Sequence, residues 1–142
     1  MRGPPVLATE LSIVHSFHSD LKTYAAARDF CETEASNGFA SGRLFEPMGK
    51  SQNDLVHAES IRQFGGLKNT WIGINREQNS LGQKFWGYTT GGSLFFENWH
   101  RGQPDNGAHD CVHLFNAQWY NYDCNYKAFF ICQFVQRPSY DY

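Results

Sequence analysis

The chain has 142 residues, enough to bury one core, so a single domain is expected. Charged residues are only 18% and the formal net charge is −2, with Lys and Arg scattered, so the basic footprint of a nucleic-acid binder is absent. No stretch approaches ~18 consecutive apolar residues, so no membrane span is expected.

Residues 1–10 hold two prolines and no periodicity, and read as an exposed lead-in. Their apolar run is too short for a secretory signal. From Leu11 to Phe17 apolar and polar residues alternate, with Leu11, Ile13, His15 and Phe17 on one face, which predicts a half-buried strand. Thr23 is placed to cap a helix over Tyr24 to Glu32, rich in alanine, with Tyr24, Ala27 and Cys31 facing inward. Gly38 suits a stop after it. Ser51, with Asp54 three residues on, resembles the start of a second helix, whose apolar face would carry Leu55, Ala58 and Ile61 up to Phe64. Gly65 and Gly66 end it.

From Thr70 the character changes. Trp71-Ile72-Gly73-Ile74 and Phe85-Trp86-Gly87-Tyr88 read as short strands separated by a polar loop, and Thr90 to Ser93 as a turn. A long loop opens at Trp99 and runs to Cys111. It carries Gln103, Pro104, Asp105, His109 and Asp110. Cys111 to Phe115 and Phe129 to Phe134 read as core strands, with a turn at Asn116-Ala117-Gln118. Residues 136–142 form a polar tail. Helices early and strands late predict an α+β fold with antiparallel pairing.

Four cysteines stand at 31, 111, 124 and 132 with no CxxC pair, which disfavours a zinc knuckle. Their even number and wide spacing suit two disulfides and an oxidising compartment, with three connectivities open. His100, His109 and His113 lie near Asp105 and Asp110, but their spacing matches no zinc signature. Asp105 and Asp110 read more simply as one binding and one structural acid than as a glycosidase pair.

Over residues 11–135 the chain resembles the C-type lectin-like domain family in its short form. The resemblance is carried by the Tyr24–Cys31 helix, the Trp71-Ile72-Gly73-Ile74 strand, Trp99 leading into Gly102-Gln103-Pro104-Asp105-Asn106, the spacing from Trp119 to Cys124, and Phe130-Ile131-Cys132-Gln133. It implies two helices, two small antiparallel sheets and a long loop region. It also implies disulfides Cys31–Cys132 and Cys111–Cys124, which in a chain-entropy account stabilise by ~4.7 and ~3 kcal/mol at most.

The resemblance further implies an extracellular, secreted, non-enzymatic lectin that binds a carbohydrate or glycoprotein. Gln103-Pro104-Asp105 is similar to galactose-type members, with a cis Pro104. Carbohydrate contacts would come from Gln103, Asp105, Asn121 and Tyr120. A calcium ion would rest on Gln103, Asp105 and Asn121, with Asp110 or His109 as further candidates. This chain departs from the pattern, however. His109 stands where an acid is expected, and Tyr120 and Asn121 replace an Asn-Asp pair. One carboxylate plus amides makes a weak calcium site, because affinity follows the number of charged ligands. Arg76 and Leu81 fall where the acids of an auxiliary calcium site belong, and Arg76 is expected to pair with Asp110 or another loop acid instead. Two readings follow: a sugar-binding module, using oligomers for avidity, or a calcium-independent lectin-like module that presents this loop to a protein or other surface.

Overall fold

The computed structural model describes residues 12–34 and 41–136. The lead-in 1–10, Leu11, the stop at Gly38 and tail residues 137–142 lie outside the described residues. The elements in order are β1 (Ser12–Lys22), α1 (Tyr24–Glu34), β2 (Ser41–Leu44), α2 (Lys50–Phe64), β3 (Thr70–Gln78), β4 (Lys84–Tyr88), β5 (Cys111–Phe115), β6 (Gln118–Tyr122) and β7 (Ala128–Gln136).

Thr23 caps α1 as expected. Its Oγ1 accepts the Ala26 N–H at 3.3 Å, and its carbonyl accepts the Ala27 N–H at 2.9 Å. Tyr24, Ala27 and Cys31 are the buried face. Cys31 bonds to Cys132 on β7, and Cys111 to Cys124, as the resemblance implied. The first bridge spans 101 residues of sequence and anchors α1 to the sheet.

The expected pair of small sheets is one mixed sheet of seven strands. β7 pairs antiparallel with β1 and β2, and β3 pairs antiparallel with β4 and β5. A short parallel contact, Thr70 with Phe129 and Trp71 with Phe130, joins the two groups. Parallel neighbours are far apart in sequence, so local patterning does not reveal them. β3 also runs past Ile74 to Gln78. Its polar end, Asn75 and Arg76, is held by pairing with Gly87 and Trp86 of β4. Gly73 lies where the chain after β2 crosses: its N–H donates to Phe45 at 2.6 Å, and a Cβ there would stand 2.7 Å from the Leu44 carbonyl oxygen.

The second helix corrects the sequence reading in two ways. Its N-cap is Gly49, with no side-chain cap, so Ser51 lies inside the helix. Its buried face is Asn53, Val56, His57 and Ser60, while Leu55 is 69% exposed. The period was right and the face was not. Asn53 is drawn inward by two polar partners: Asn53 Oδ1 accepts the Trp119 indole N–H at 2.8 Å, and Asn53 Nδ2 donates to the Ala117 carbonyl at 2.9 Å. Gly65 ends the helix at φ 74°, its N–H on the Ile61 carbonyl.

Because a buried group left unpaired costs about 1–3 kcal/mol, Asn53→Ala should lower stability by roughly that amount by stranding the Trp119 indole N–H, while the Ala117 carbonyl keeps its bond from Asn98 Nδ2 at 2.6 Å. Leu55→Ser on the outer face should stay within about 0.5 kcal/mol. Urea unfolding of the two variants measures both, and the reverse order would mean that the helix is turned the other way.

Candidate functional site

Residues 89–110 run from β4 to β5 with no helix or extended strand. The base of this loop is set by Glu46, a fully buried carboxylate. It accepts the Thr89 hydroxyl at 2.9 Å and the Thr90 N–H at 3.0 Å, and Arg43 Nη1 lies 3.3 Å away. Higher up, residues 98–100 lie against β6. The Trp119 backbone N–H donates to the Asn98 carbonyl, and the His100 backbone N–H donates to the Trp119 carbonyl, each at 3.0 Å. Trp99 packs edge-on between Trp86 and Trp119, at 5.1 and 5.6 Å. Trp71 and Trp119 are fully buried, so both act as core.

The Gln103–Pro104 bond is cis. Around it, Asn121 on β6 makes a closed set of bonds. Asn121 Oδ1 accepts the Asp105 N–H at 2.9 Å, and the Asn121 N–H donates to Gln103 Oε1 at 3.1 Å. Asn121 Nδ2 donates to the His109 carbonyl at 2.9 Å and to Asp105 Oδ1 at 3.1 Å. Asp105 Oδ1 also accepts the Gly107 N–H at 3.0 Å. Those bonds, Gly107 first and Asn121 next, hold the Asp105 carboxyl below its usual pKa, so it is ionised at neutral pH.

Arg76 does what the sequence reading expects of it. Arg76 Nε donates to Asp110 Oδ1 at 2.7 Å and Arg76 Nη2 to the Gly107 carbonyl at 2.6 Å. The guanidinium also sits over the Trp86 ring, 5.1 Å from its centre.

This donor set does not fit calcium. The ion takes about 6–8 oxygens, preferably charged. Gln103 Oε1, Asn121 Oδ1 and Asp105 Oδ1 already accept N–H groups, and Asp110 is committed to Arg76. His109 offers its carbonyl to Asn121, while its ring leans on Tyr122 at 6.0 Å. Asp123 Oδ1 closes a turn on the Asn125 N–H. Among the described residues no group of three or more His, Cys, Asp or Glu converges as metal ligands, so the histidine–acid set named for zinc is not gathered either.

Tyr120 is placed differently from the sequence reading. β6 has β5 on one side and residues 98–100 on the other. The His100, Tyr120 and His113 rings therefore form a stacked row across three neighbouring segments, at 4.7 and 5.4 Å. Tyr120 stacks on protein rings, which leaves its edge rather than a free face for a ligand. The sequence names His113 only within the disfavoured zinc set. It is 5% exposed, and its Nδ1 is buried with no hydrogen-bond partner. Desolvation lowers its pKa to about 4, so the ring is neutral at pH 7. Its alternation with Val112 and Leu114 gave it the look of an ordinary strand residue. Gln103, Asp105, His113, Tyr120 and Asn121 share one open cleft of about 440 Å³.

Comparison with known proteins finds a match to the family model described as Lectin C-type domain over residues 20–134. Collectin-43 of Bos taurus is 29% identical over 119 residues, covering 80% of this chain and 35% of that protein. Lectin subunit alpha of Sarcophaga peregrina is 36% identical over 81 residues, covering 51% of this chain and 29% of that protein. The matches thus span about a third of each relative's length. The mouse scavenger receptor C-type lectin carbohydrate-recognition domain has a similar fold, with TM-score 0.72 at 23% identity over 88% of this chain and 92% of that one.

The buried neutral His113 makes stability depend on pH. Its folded pKa lies below the unfolded value of 6.5. Between pH 6.5 and about 4 the unfolded chain therefore binds a proton that the folded one does not, and stability falls as pH falls through that window. The shift is worth about 3 kcal/mol. His113→Phe keeps a ring in the stack and should flatten that part of a melting-temperature profile. An unchanged slope would mean that another group is responsible.

Proposed function

The chain belongs to the C-type lectin domain family, and from that premise we propose that it is a non-enzymatic, extracellular lectin whose loop binds a galactose-type sugar without calcium. The observation that carries this reading is what the Asn121 network leaves over. Gln103 Oε1 is taken by the Asn121 N–H, so Gln103 Nε2 remains as a donor. Asp105 Oδ1 is taken twice, and Asp105 Oδ2 carries no hydrogen bond among the described residues. An ionised acceptor and an amide donor therefore stand two residues apart, bound to the same asparagine.

Two neighbouring sugar hydroxyls suit that pair. One donates to the carboxylate, in the charge-assisted and stronger kind of bond. The other accepts from the amide. The preference for galactose over other hexoses is supported by the Gln103-Pro104-Asp105 order that this chain shares with galactose-type members. Arg76 and Asn121 supply the fixed positive charge and the ordering that a metal would otherwise bring. Both disulfides suit an oxidising, extracellular setting. A shallow single site binds weakly, so several copies acting together would supply avidity.

Thermal unfolding tests the reading, because a ligand of the native state raises the midpoint by mass action. Galactose should raise the midpoint in chelator as much as in millimolar calcium, and calcium alone should leave it unchanged. A rise with calcium alone would overturn the metal-free part. No rise with galactose under either condition would overturn the sugar part. Asp105→Asn keeps an oxygen for the Gly107 and Asn121 bonds but loses the charge, so galactose affinity should fall about tenfold or more.

A further inference from the structure

The cleft beneath Gln103 and Asp105 continues beyond them. Asn69 and Phe115 line both it and a second cleft of about 340 Å³, so the two meet at these residues. The ends of this groove differ in charge. At the first end the one carboxylate is Asp105. At the other the charged side chains are Lys68 and Lys127, and neither has an ion-pair partner among the described residues. Lys68 Nζ lies over the Phe129 ring at 5.7 Å, which holds one cation at the groove wall.

Between the ends stands His113, whose ring lines the first cleft while its Nδ1 is buried behind it. Phe115 lies two residues along the same face of β5, about 7 Å further, and offers an apolar wall to the next sugar.

Resting on the saccharide reading above, we propose that the ligand is an acidic oligosaccharide laid along this groove, with a neutral sugar at Gln103 and Asp105 and an anionic substituent between Lys68 and Lys127. The neutral His113 adds no cation midway, so attraction for the anion is concentrated at the lysine end. Both lysines are exposed, so that attraction is screened by salt.

The test compares three probes by calorimetry: a β-galactan tetrasaccharide, the same tetrasaccharide sulfated, and a galacturonate tetramer. The sulfated and carboxylated arms distinguish a sulfate ester from a uronate as the source of the anion. Wild-type protein should bind at least one acidic probe about tenfold more tightly than the neutral one at low salt, and added salt should narrow that ratio. In the Lys68→Gln, Lys127→Gln double variant the ratio should fall to near one. Equal affinity of wild type for the neutral and acidic probes would overturn the anionic subsite and leave the galactose reading standing. A preference that survives in the double variant would also overturn it. No binding of any galactan would remove the lectin reading itself.

Discussion

The constraint on which the site depends is the backbone of residues 89–110. That stretch has no ladder of its own, yet its N–H and carbonyl groups still need partners. Asn121 answers most of that need at the working end. One side-chain amide and one backbone N–H meet Gln103, Asp105 and His109. Asn121 can do this because it sits in a paired strand and is 3% exposed, so its own position is not free to vary. Arg76 completes the arrangement from β3, clamping Asp110 and the Gly107 carbonyl together. An arginine and an asparagine thereby provide positive charge and order, the two things a divalent cation could provide here.

A row of aromatic contacts connects this clamp to the rest of the domain. Arg76 lies on Trp86, Trp86 on Trp99, Trp99 on Trp119, and the Trp119 indole donates to Asn53 of α2. Each contact joins a different element, so the loop is positioned relative to both the sheet and the second helix. This explains why a helix with several apolar residues turns a polar face inward. The buried amide of Asn53 is the end of that row, and its two hydrogen bonds outweigh what Leu55 would gain by burial.

The groove owes its chemistry to the same scaffold. Cross-strand neighbours in β5 and β6 bring His113 against Tyr120, and the adjacent segment adds His100. Stacking uses up these ring faces and leaves ring edges to the cleft. Burial keeps His113 neutral, so the ionised groups along the groove lie at its two ends. A ligand would thus meet an acceptor first, aromatic walls next and two cations last.

Much of this was legible in residue order. The capped α1 with its inward Tyr24, Ala27 and Cys31, the Trp71 strand, and the Gln103-Pro104-Asp105 loop followed from local preferences and from resemblance, and the disulfide pairing from resemblance alone. The likeness also placed Arg76 beside a loop acid, because charge replaced charge at that position. Other features were decided only by contacts between distant residues. The parallel join of β3 to β7 depends on chain crossings that short-range patterning does not encode. The face of α2 depends on partners 64 and 66 residues away, Ala117 and Trp119. Tyr120 reads in the sequence as a carbohydrate contact, but it is enclosed by rings from two neighbouring segments. Asn121 looked like a weakened ligand but acts as the support of the loop. The sequence determined which groups are available in the loop, since residue type sets charge and hydrogen-bonding capacity. Tertiary structure decided which of them are already satisfied, because that depends on what the fold places within about 3 Å of each atom.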